Sequence, residues 1–251
     1  MSLSETVKPV SENVQDQDKT SKRKLVVVKR QENLNTHANI LLSMSESKMQ
    51  YTQTNNRITL VFDCNGTLTS LSEVRIKSGF RLRPFAEYLY YLKKSEKFSL
   101  CVWTCAQKQY LEEMQRAIED KSQISFDRAL DREHCILPPS HVPKKRKIGS
   151  VKPLRKYFGN KQETEHDSGL DNVILIDDNS DKVLPEEADN LLLIPSWKED
   201  QKDKVLYVLI DQLLRLDVKR DVRPQIKDIE KEVWKYYNRE YPNDLQSNSR
   251  T

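Results

Sequence analysis

Three uninterrupted apolar runs constrain this chain more than any other feature. ITLVFD at 58–63, FSLCVWT at 98–104 and NVILIDD at 172–178 each end in residues able to do chemistry: Asp63, Thr104, and Asp177 with Asp178. A short apolar run bounded by turn residues, such as the NGT after Cys64, reads as a strand buried on both faces. SFDRAL at 125–130 and LLLIP at 191–195 add two more strands. Helical periods lie between and after them, in RPFAEYLYYLKK at 83–94, QKQYLEEMQRAIED at 107–120, QKDKVLYVLIDQLLRL at 201–216 and PQIKDIEKEVWKYY at 224–237. Strands alternating with helices over short connections predict an α/β fold, a doubly wound, Rossmann-like parallel sheet with helices around it. Ligands of such sheets bind beyond the carboxyl ends of the strands, which is where the three reactive termini fall.

Composition fits one such domain carrying polar additions. The 251 residues are 37% hydrophobic and 32% charged, against about 45–50% and about 25% in an ordinary domain. Residues 1–55, rich in Ser, Thr, Asn, Gln and Lys, supply much of the difference and are expected to form a disordered arm, apart from the strand-like KLVVVKR at 24–30. The domain is expected over 56–240, with a basic, Pro-rich insertion at 136–150 and a tail at 241–251. Five glycines argue against a barrel or sandwich with many tight turns.

Charge and cysteine usage narrow the partners. The net charge, 42 − 38 = +4, is too small to make nucleic acid the primary ligand. The local clusters SKRK at 21–24 and PKKRK at 143–147 suit nuclear localisation signals as well as solvated loops, so a nuclear location is expected, with cytoplasm or mitochondrion as the alternatives. Cys64, Cys101, Cys105 and Cys135 have no zinc-site spacing and make no disulfide framework, which favours a reducing compartment. Cys101 and Cys105 read as core or near-core thiols. The apolar run LLLI at 191–194 is too short to span a membrane. The N-terminus lacks a secretory apolar region, and Glu5, Glu12, Asp16 and Asp18 argue against a transit peptide.

Two acids at neighbouring strand ends, Asp63 and Asp177, can converge on one hard cation, and magnesium prefers carboxylates, carbonyls and water. Magnesium beside a carboxylate suits phosphoryl transfer, in which charge on the phosphate oxygens must be neutralised. Thr104 can donate to a phosphate oxygen, and Lys152, at the start of a helix after the insertion, can supply the cation. Any one strand-end acid can merely cap a helix or face solvent. All of them in this order are harder to explain that way.

At these residues the chain resembles the haloacid-dehalogenase-like phosphatases. VFDCNGTLTS at 61–70 is similar to motif I, D-x-D-x-T-L, with Thr67 at its threonine. FSLCVWTCA at 98–106 resembles motif II, VKPL at 151–154 the lysine-bearing motif III, and VILIDDNSD at 173–181 motif IV. RLRPFAEYLYYL, FDRALDREHC and the DVR at 221–223 resemble the branch of the RNA polymerase II C-terminal-domain phosphatases, the NLI-interacting-factor-like family. The resemblance implies that Asp63 attacks phosphorus and forms a phosphoaspartate, that Thr104 and Lys152 bind the transferring group, and that Asp177, with Asp178 as a second candidate, holds Mg2+ together with Asp63 and the backbone carbonyl of Asn65. It also implies a phosphoserine or phosphothreonine protein as substrate.

The departure from the pattern is Asn65, where motif I carries its second aspartate, the general acid and base. An amide can hydrogen-bond but cannot transfer a proton at neutral pH. Three outcomes stay open: a slow phosphatase favouring good leaving groups, a phosphoaspartate that persists, or a pseudophosphatase that binds phosphoproteins or partners as a scaffold. A receptor subunit of the mitochondrial inner-membrane translocase, in the same branch, uses the fold as an interaction module. The oligomeric state is not readable from these residues.

Overall fold

The computed structural model describes residues 57–70, 80–137, 149–159 and 169–244, all within the unit Thr52–Thr251. The polar arm, both basic clusters and most of the 136–150 insertion lie outside the described residues.

Five strands form one sheet in the order β3-β2-β1-β4-β5. They are β1 (Ile58–Phe62), β2 (Phe98–Trp103), β3 (Arg128–Leu130), β4 (Val173–Asp177) and β5 (Leu191–Leu193), and every pairing is parallel. Among the described residues five α-helices accompany them: α1 (Leu89–Lys94), α2 (Lys108–Ser122), α3 (Leu154–Phe158), α4 (Val205–Leu214) and α5 (Arg223–Glu240). The α/β reading of the sequence therefore holds. β1, β2 and β4 are the apolar runs, broken only by Thr59, Ser99 and the terminal Asp177, and helices cover the sheet on both faces.

The two faces are distinguishable on β2, whose successive side chains point to opposite sides. Cys101 and Trp103 join Val61, Leu175 and the α3 residue Leu154 in one buried cluster. Val102 joins Leu111 and Met114 of α2 in another. α2 buries Leu111, Met114 and Ile118, a helical spacing that makes one apolar stripe. The chain runs outward from β1 through β2 to β3, then crosses back to β4 and β5. The strand order reverses between β1 and β4, the point at which such folds form their ligand crevice.

Several boundaries differ from the expected ones for local reasons. The segment expected as one helix from Arg83 starts as a 3-10 turn at Ala86–Tyr88 behind Phe85, whose φ is 68°, and becomes α-helical at Leu89. α4 begins at Val205 rather than 201; its N-cap, Lys204, makes no side-chain cap bond, and Asp203 Oδ1, one residue earlier, accepts from the Val205 N–H at 2.6 Å. Trp234 and Tyr237 of α5 pack inward, Tyr237 buried and the Trp234 indole donating to the Leu193 carbonyl at 2.9 Å.

α3 has only five residues, too short to persist alone. Its first turn is fastened instead by Glu187, a buried carboxylate whose two oxygens accept from Leu154 N–H at 2.9 Å and Arg155 N–H at 2.8 Å. Glu187→Ala is expected to leave both donors unsatisfied and to cost about 1–3 kcal/mol in chemical denaturation, whereas a surface change such as Glu186→Ala should stay within about 0.5 kcal/mol.

Candidate active site

β1 and β4 end side by side because of their register. Phe62 pairs with Ile176, so Asp63 and Asp177 come next on adjacent strands. The ladder continues past the strand end, with Asp63 N–H donating to the Ile176 carbonyl at 2.9 Å. On the other flank, Ile194 N–H donates to the Asp177 carbonyl at 3.0 Å. Asp178 follows, and one oxygen from each of Asp63, Asp177 and Asp178 lies within 4.8 Å of the others.

Lys152 enters from the segment just before α3, its own N–H donating to the Lys182 carbonyl at 2.8 Å. Its ammonium donates to Asp63 Oδ1 at 2.6 Å and to Asp177 Oδ2 at 2.7 Å, and its side chain is 0% exposed. An unpaired ammonium could not be buried so completely. Burial works against the Lys152 charge, but Asp177 and Asp63 outweigh it and hold its pKa above the ordinary lysine value. The compensation does not extend to all three acids. Burial first, then the neighbouring Asp177 and Asp178, push Asp63 up to about 8 despite the pull of Lys152. Asp178 is likewise raised, mainly by burial. Lys152 bonds two of the three carboxylates, and burial still raises Asp63 and Asp178.

A cavity of about 650 Å³ opens over this cluster, with Asp63, Asn65, Thr104, Asp177 and Asp178 on its wall. Thr104 is placed by its N–H, which donates to the Leu130 carbonyl at 3.0 Å, while its Oγ1 accepts from Ala106 N–H at 3.1 Å. The Asn65 side chain accepts from Thr69 Oγ1 at 3.4 Å. Lys152 lies beneath the carboxylates rather than on the wall. Thr67, expected among the site residues, is fully buried under the turn, and its hydroxyl has no hydrogen-bond partner among the described residues.

Three features of the site were not singled out from sequence. Asn179 fixes Asp177, its N–H donating to Asp177 Oδ1 at 2.9 Å while its side chain accepts from Asp181 N–H. Asn-x-Asp after a strand is a helix-cap signal that could have been read. Gly66 has φ 83°, and a Cβ there would stand 2.2 Å from Asp178 Oδ2. Only glycine lets the turn after β1 pass so close to that carboxylate. The third feature is Arg83, buried with Asp203. Its guanidinium donates to Asp203 Oδ2 at 3.2 and 2.9 Å, to the Gly66 and Thr67 carbonyls at 3.4 and 3.3 Å, and to the Pro195 carbonyl at 2.9 Å. Trp197 N–H also donates to the Gly66 carbonyl, at 2.8 Å. The turn bearing Asn65 is thus held from the far edge of the sheet.

With the geometry in place, relatives can be compared. The NLI interacting factor-like phosphatase family model matches residues 58–223. The chain belongs to that family. The match runs from β1 to the start of α5 and includes every site residue named above. The chain is 29% identical over 146 residues to the CTD small phosphatase-like protein 2 of Dictyostelium discoideum, covering 58% of this chain and 22% of that protein. It is 27% identical over 154 residues to the Nuclear envelope morphology protein 1 of Saccharomyces cerevisiae, covering 61% and 32%. The chain therefore spans between a fifth and a third of these relatives. Among solved structures it is similar to the fission yeast RNA polymerase II CTD phosphatase Fcp1 bound to beryllium fluoride, at 16% identity and a TM-score of 0.38, covering 78% of this chain and 68% of the other. A second Fcp1 structure gives 17% and 0.39, covering 77% and 53%. The family match carries the assignment to the haloacid-dehalogenase-like CTD phosphatase branch.

Gly66→Ala is expected to destabilise this phosphatase-like domain by more than the roughly 1–2 kcal/mol of a left-handed alanine, because the new methyl group overlaps Asp178. Asp178→Gly introduced alongside should recover the steric part. Thermal melts of the two single variants and the double variant give the coupling, and additive losses would place the strain elsewhere.

Proposed function

We propose that this domain is a magnesium-dependent phosphoprotein phosphatase of the serine/threonine class, working through a phosphoaspartate at Asp63 and slowed by Asn65. The observation that carries the reading is Lys152 shared between Asp63 and Asp177 at the reversal point of the sheet, beneath an open cavity. The donor set fits magnesium: oxygen ligands only, from Asp63 and Asp177 with Asp178 nearby and the Asn65 carbonyl two residues after Asp63, in a cluster that one ammonium leaves under-compensated. When bound, the ion would neutralise charge on the phosphate oxygens.

The residues of the chain divide the remaining work. Asp63, ionised, attacks phosphorus and the bond to the serine or threonine oxygen breaks. Lys152 keeps Asp63 oriented and balances charge that builds up during transfer. Thr104, on the cavity wall, offers its hydroxyl to a phosphate oxygen. The leaving oxygen must acquire a proton, and water must lose one when it cleaves the phosphoaspartate. Asn65 stands where an acid would do both, and its amide can do neither. Phosphate binding survives this change while turnover slows, which is also what a binding module for phosphorylated proteins would require. The proposed location is the nucleus, on the basic clusters and on a yeast relative named for nuclear envelope morphology. No helix among the described residues is long and apolar enough to cross a membrane.

Hydrolysis of p-nitrophenyl phosphate with Mg2+ separates the enzyme from the binding module. Asp63→Asn should abolish turnover, and Asn65→Asp should raise turnover of a phosphoserine peptide by about 10²–10⁴-fold and that of p-nitrophenyl phosphate by less, because p-nitrophenolate leaves without needing a proton. Background rates for wild type and both variants would decide for the interaction module.

The raised pKa of Asp63 sets the sign of a pH effect. Below about 4 the carboxyl is protonated folded or unfolded. Between about 4 and 8 the metal-free folded state keeps a proton that the unfolded chain has lost, so the fold loses stability as pH rises through that window. A cation that binds the ionised cluster must displace the proton. Its affinity should therefore climb by up to tenfold per pH unit toward about 8 and then level off. Calorimetric titration of Mg2+ from pH 6 to 9 checks this, and a pH-independent Kd would remove Asp63 from the ligand set.

A further inference from the structure

Phosphoryl transfer leaves one pair of reactive side chains unused. Cys105 lies just beyond the end of β2, beside Thr104 and on the cavity wall. Cys135 follows the 3-10 turn Arg132–His134 after β3. Because β2 and β3 are neighbouring parallel strands, the segments leaving their carboxyl ends meet. The two sulfurs stand 3.6 Å apart, and both cysteines are free and half-buried.

The surrounding backbone holds them there. Arg132 Nε donates to the Cys105 carbonyl at 2.7 Å, and Arg132 N–H donates to the Ala106 carbonyl at 2.9 Å. Cys135 N–H donates to the Arg132 carbonyl at 3.0 Å. Asp131 caps the turn by accepting from Glu133 N–H at 3.0 Å, and its carboxylate lies 2.8 Å from His134 Nδ1. With both segments tied to Arg132, the sulfurs need to close only from 3.6 Å to the roughly 2.05 Å of a disulfide.

We propose that Cys105 and Cys135 are a peroxide-oxidisable dithiol whose disulfide reshapes the cavity wall at Thr104. The Cys105 thiolate attacks one oxygen of hydrogen peroxide. The O–O bond breaks, Cys105 becomes a sulfenic acid, and the departing hydroxide takes a proton to leave as water. The Cys135 sulfur then attacks the sulfenic sulfur. The S–S bond forms, the S–O bond breaks, and the hydroxyl group leaves with the Cys135 proton as a second water. Two thiols and one peroxide give one disulfide and two waters. The roles follow from the asymmetry of the pair. Either sulfur can donate across the 3.6 Å gap; Cys105 is the one on the open cavity wall, beside Lys182, and the bond to Cys135 together with Lys152 and Lys182 lowers its pKa, which gives it the attacking role.

The disulfide reaches the phosphoryl site along two short routes. Cys105 is bonded to Thr104. Cys135 precedes Ile136, which exchanges backbone hydrogen bonds with Val151 at 2.9 and 2.8 Å, and Val151 precedes Lys152. Drawing the sulfurs together pulls on both phosphoryl-binding residues at once. An effect on phosphate binding rests on the function proposed above, whereas disulfide formation and the shift of the wall do not.

The test uses the full chain, reduced and then treated with stoichiometric hydrogen peroxide. Peptide mapping should find Cys105 linked to Cys135, reversibly with dithiothreitol, and hydrogen exchange should change over 104–107 and 151–154 in wild type but not in Cys105→Ser or Cys135→Ser. The Cys64→Ser and Cys101→Ser variants should behave as wild type. Cys105 advancing to the sulfinic acid, or no linked peptide, overturns the dithiol. A linked peptide with unchanged exchange overturns its effect on the wall. Beryllofluoride with Mg2+ then reads the consequence, with binding at least tenfold weaker in the oxidised form. If even the reduced form fails to bind it, the phosphatase reading falls, while mapping and exchange still decide the dithiol.

Discussion

Everything at the carboxyl edge of this sheet depends on one buried ammonium. Lys152 sits between Asp63 and Asp177 with no solvent exposure, and each partner is the residue that ends a central strand. Removing either side of such an arrangement leaves an uncompensated buried charge, which typically costs about 3–5 kcal/mol. The arrangement therefore requires the β1–β4 register that sets the two aspartates side by side, and it requires the return of the chain that brings Lys152 beneath them. That return is secured by residues with no chemistry of their own. Glu187 fastens the first turn of α3, Lys182 accepts from the Lys152 backbone, and Ile136 pairs with Val151. A short helix with weak intrinsic stability can hold a buried cation because its end is held by a carboxylate.

A second buried pair does the corresponding work on the other side of the cavity. Arg83 and Asp203 are 120 positions apart in the chain, yet the guanidinium reaches the turn after β1 and the segment after β5 together. Arginine suits this task because its planar fork offers several donors in fixed directions. The turn it holds passes so close to Asp178 that a side chain cannot be accommodated at residue 66. The acid cluster is thus compressed from both sides. Lys152 lies under Asp63 and Asp177, and the Gly66 turn lies against Asp178. Stability is spent to hold like charges close, which is the usual mark of a site rather than of a core.

How much of this was legible in the sequence depended on the range of the interaction involved. The strands were readable as apolar runs, because burial on both faces leaves no alternation to interpret. The acids ending them were readable as a candidate site because parallel sheets collect their carboxyl ends. Helix limits were less readable, since α4 starts at Val205, whose N–H is held by Asp203, and Phe85 adopts a left-handed conformation that nothing in RLRPF announces. Thr67 illustrates a different limit. A motif position says that a threonine is present but not whether its hydroxyl faces the cavity or the turn. Arg83–Asp203 and Cys105–Cys135 were invisible because each is made by strands or loops that the topology alone brings together.

Charge balance gives Asn65 a meaning beyond the loss of a proton donor. Lys152 bonds two of the three clustered carboxylates, and burial pushes Asp63 up to about 8. An aspartate at residue 65, on the same cavity wall, would add a fourth negative charge and make the cation-free cluster harder still to ionise. The amide removes that repulsion. It gives up proton transfer in exchange for a site that can remain assembled with less help from a cation. A chain that turned over rapidly would gain from the acid and tolerate the repulsion whenever metal was bound. A chain whose task is to hold a phosphorylated partner, or to hold its phosphoryl group for a long time, has no use for the acid and every use for the lower charge. On the function proposed above, the same amide would slow release of the phosphoryl group and steady the cluster that binds it, so that slow chemistry and long occupancy would go together.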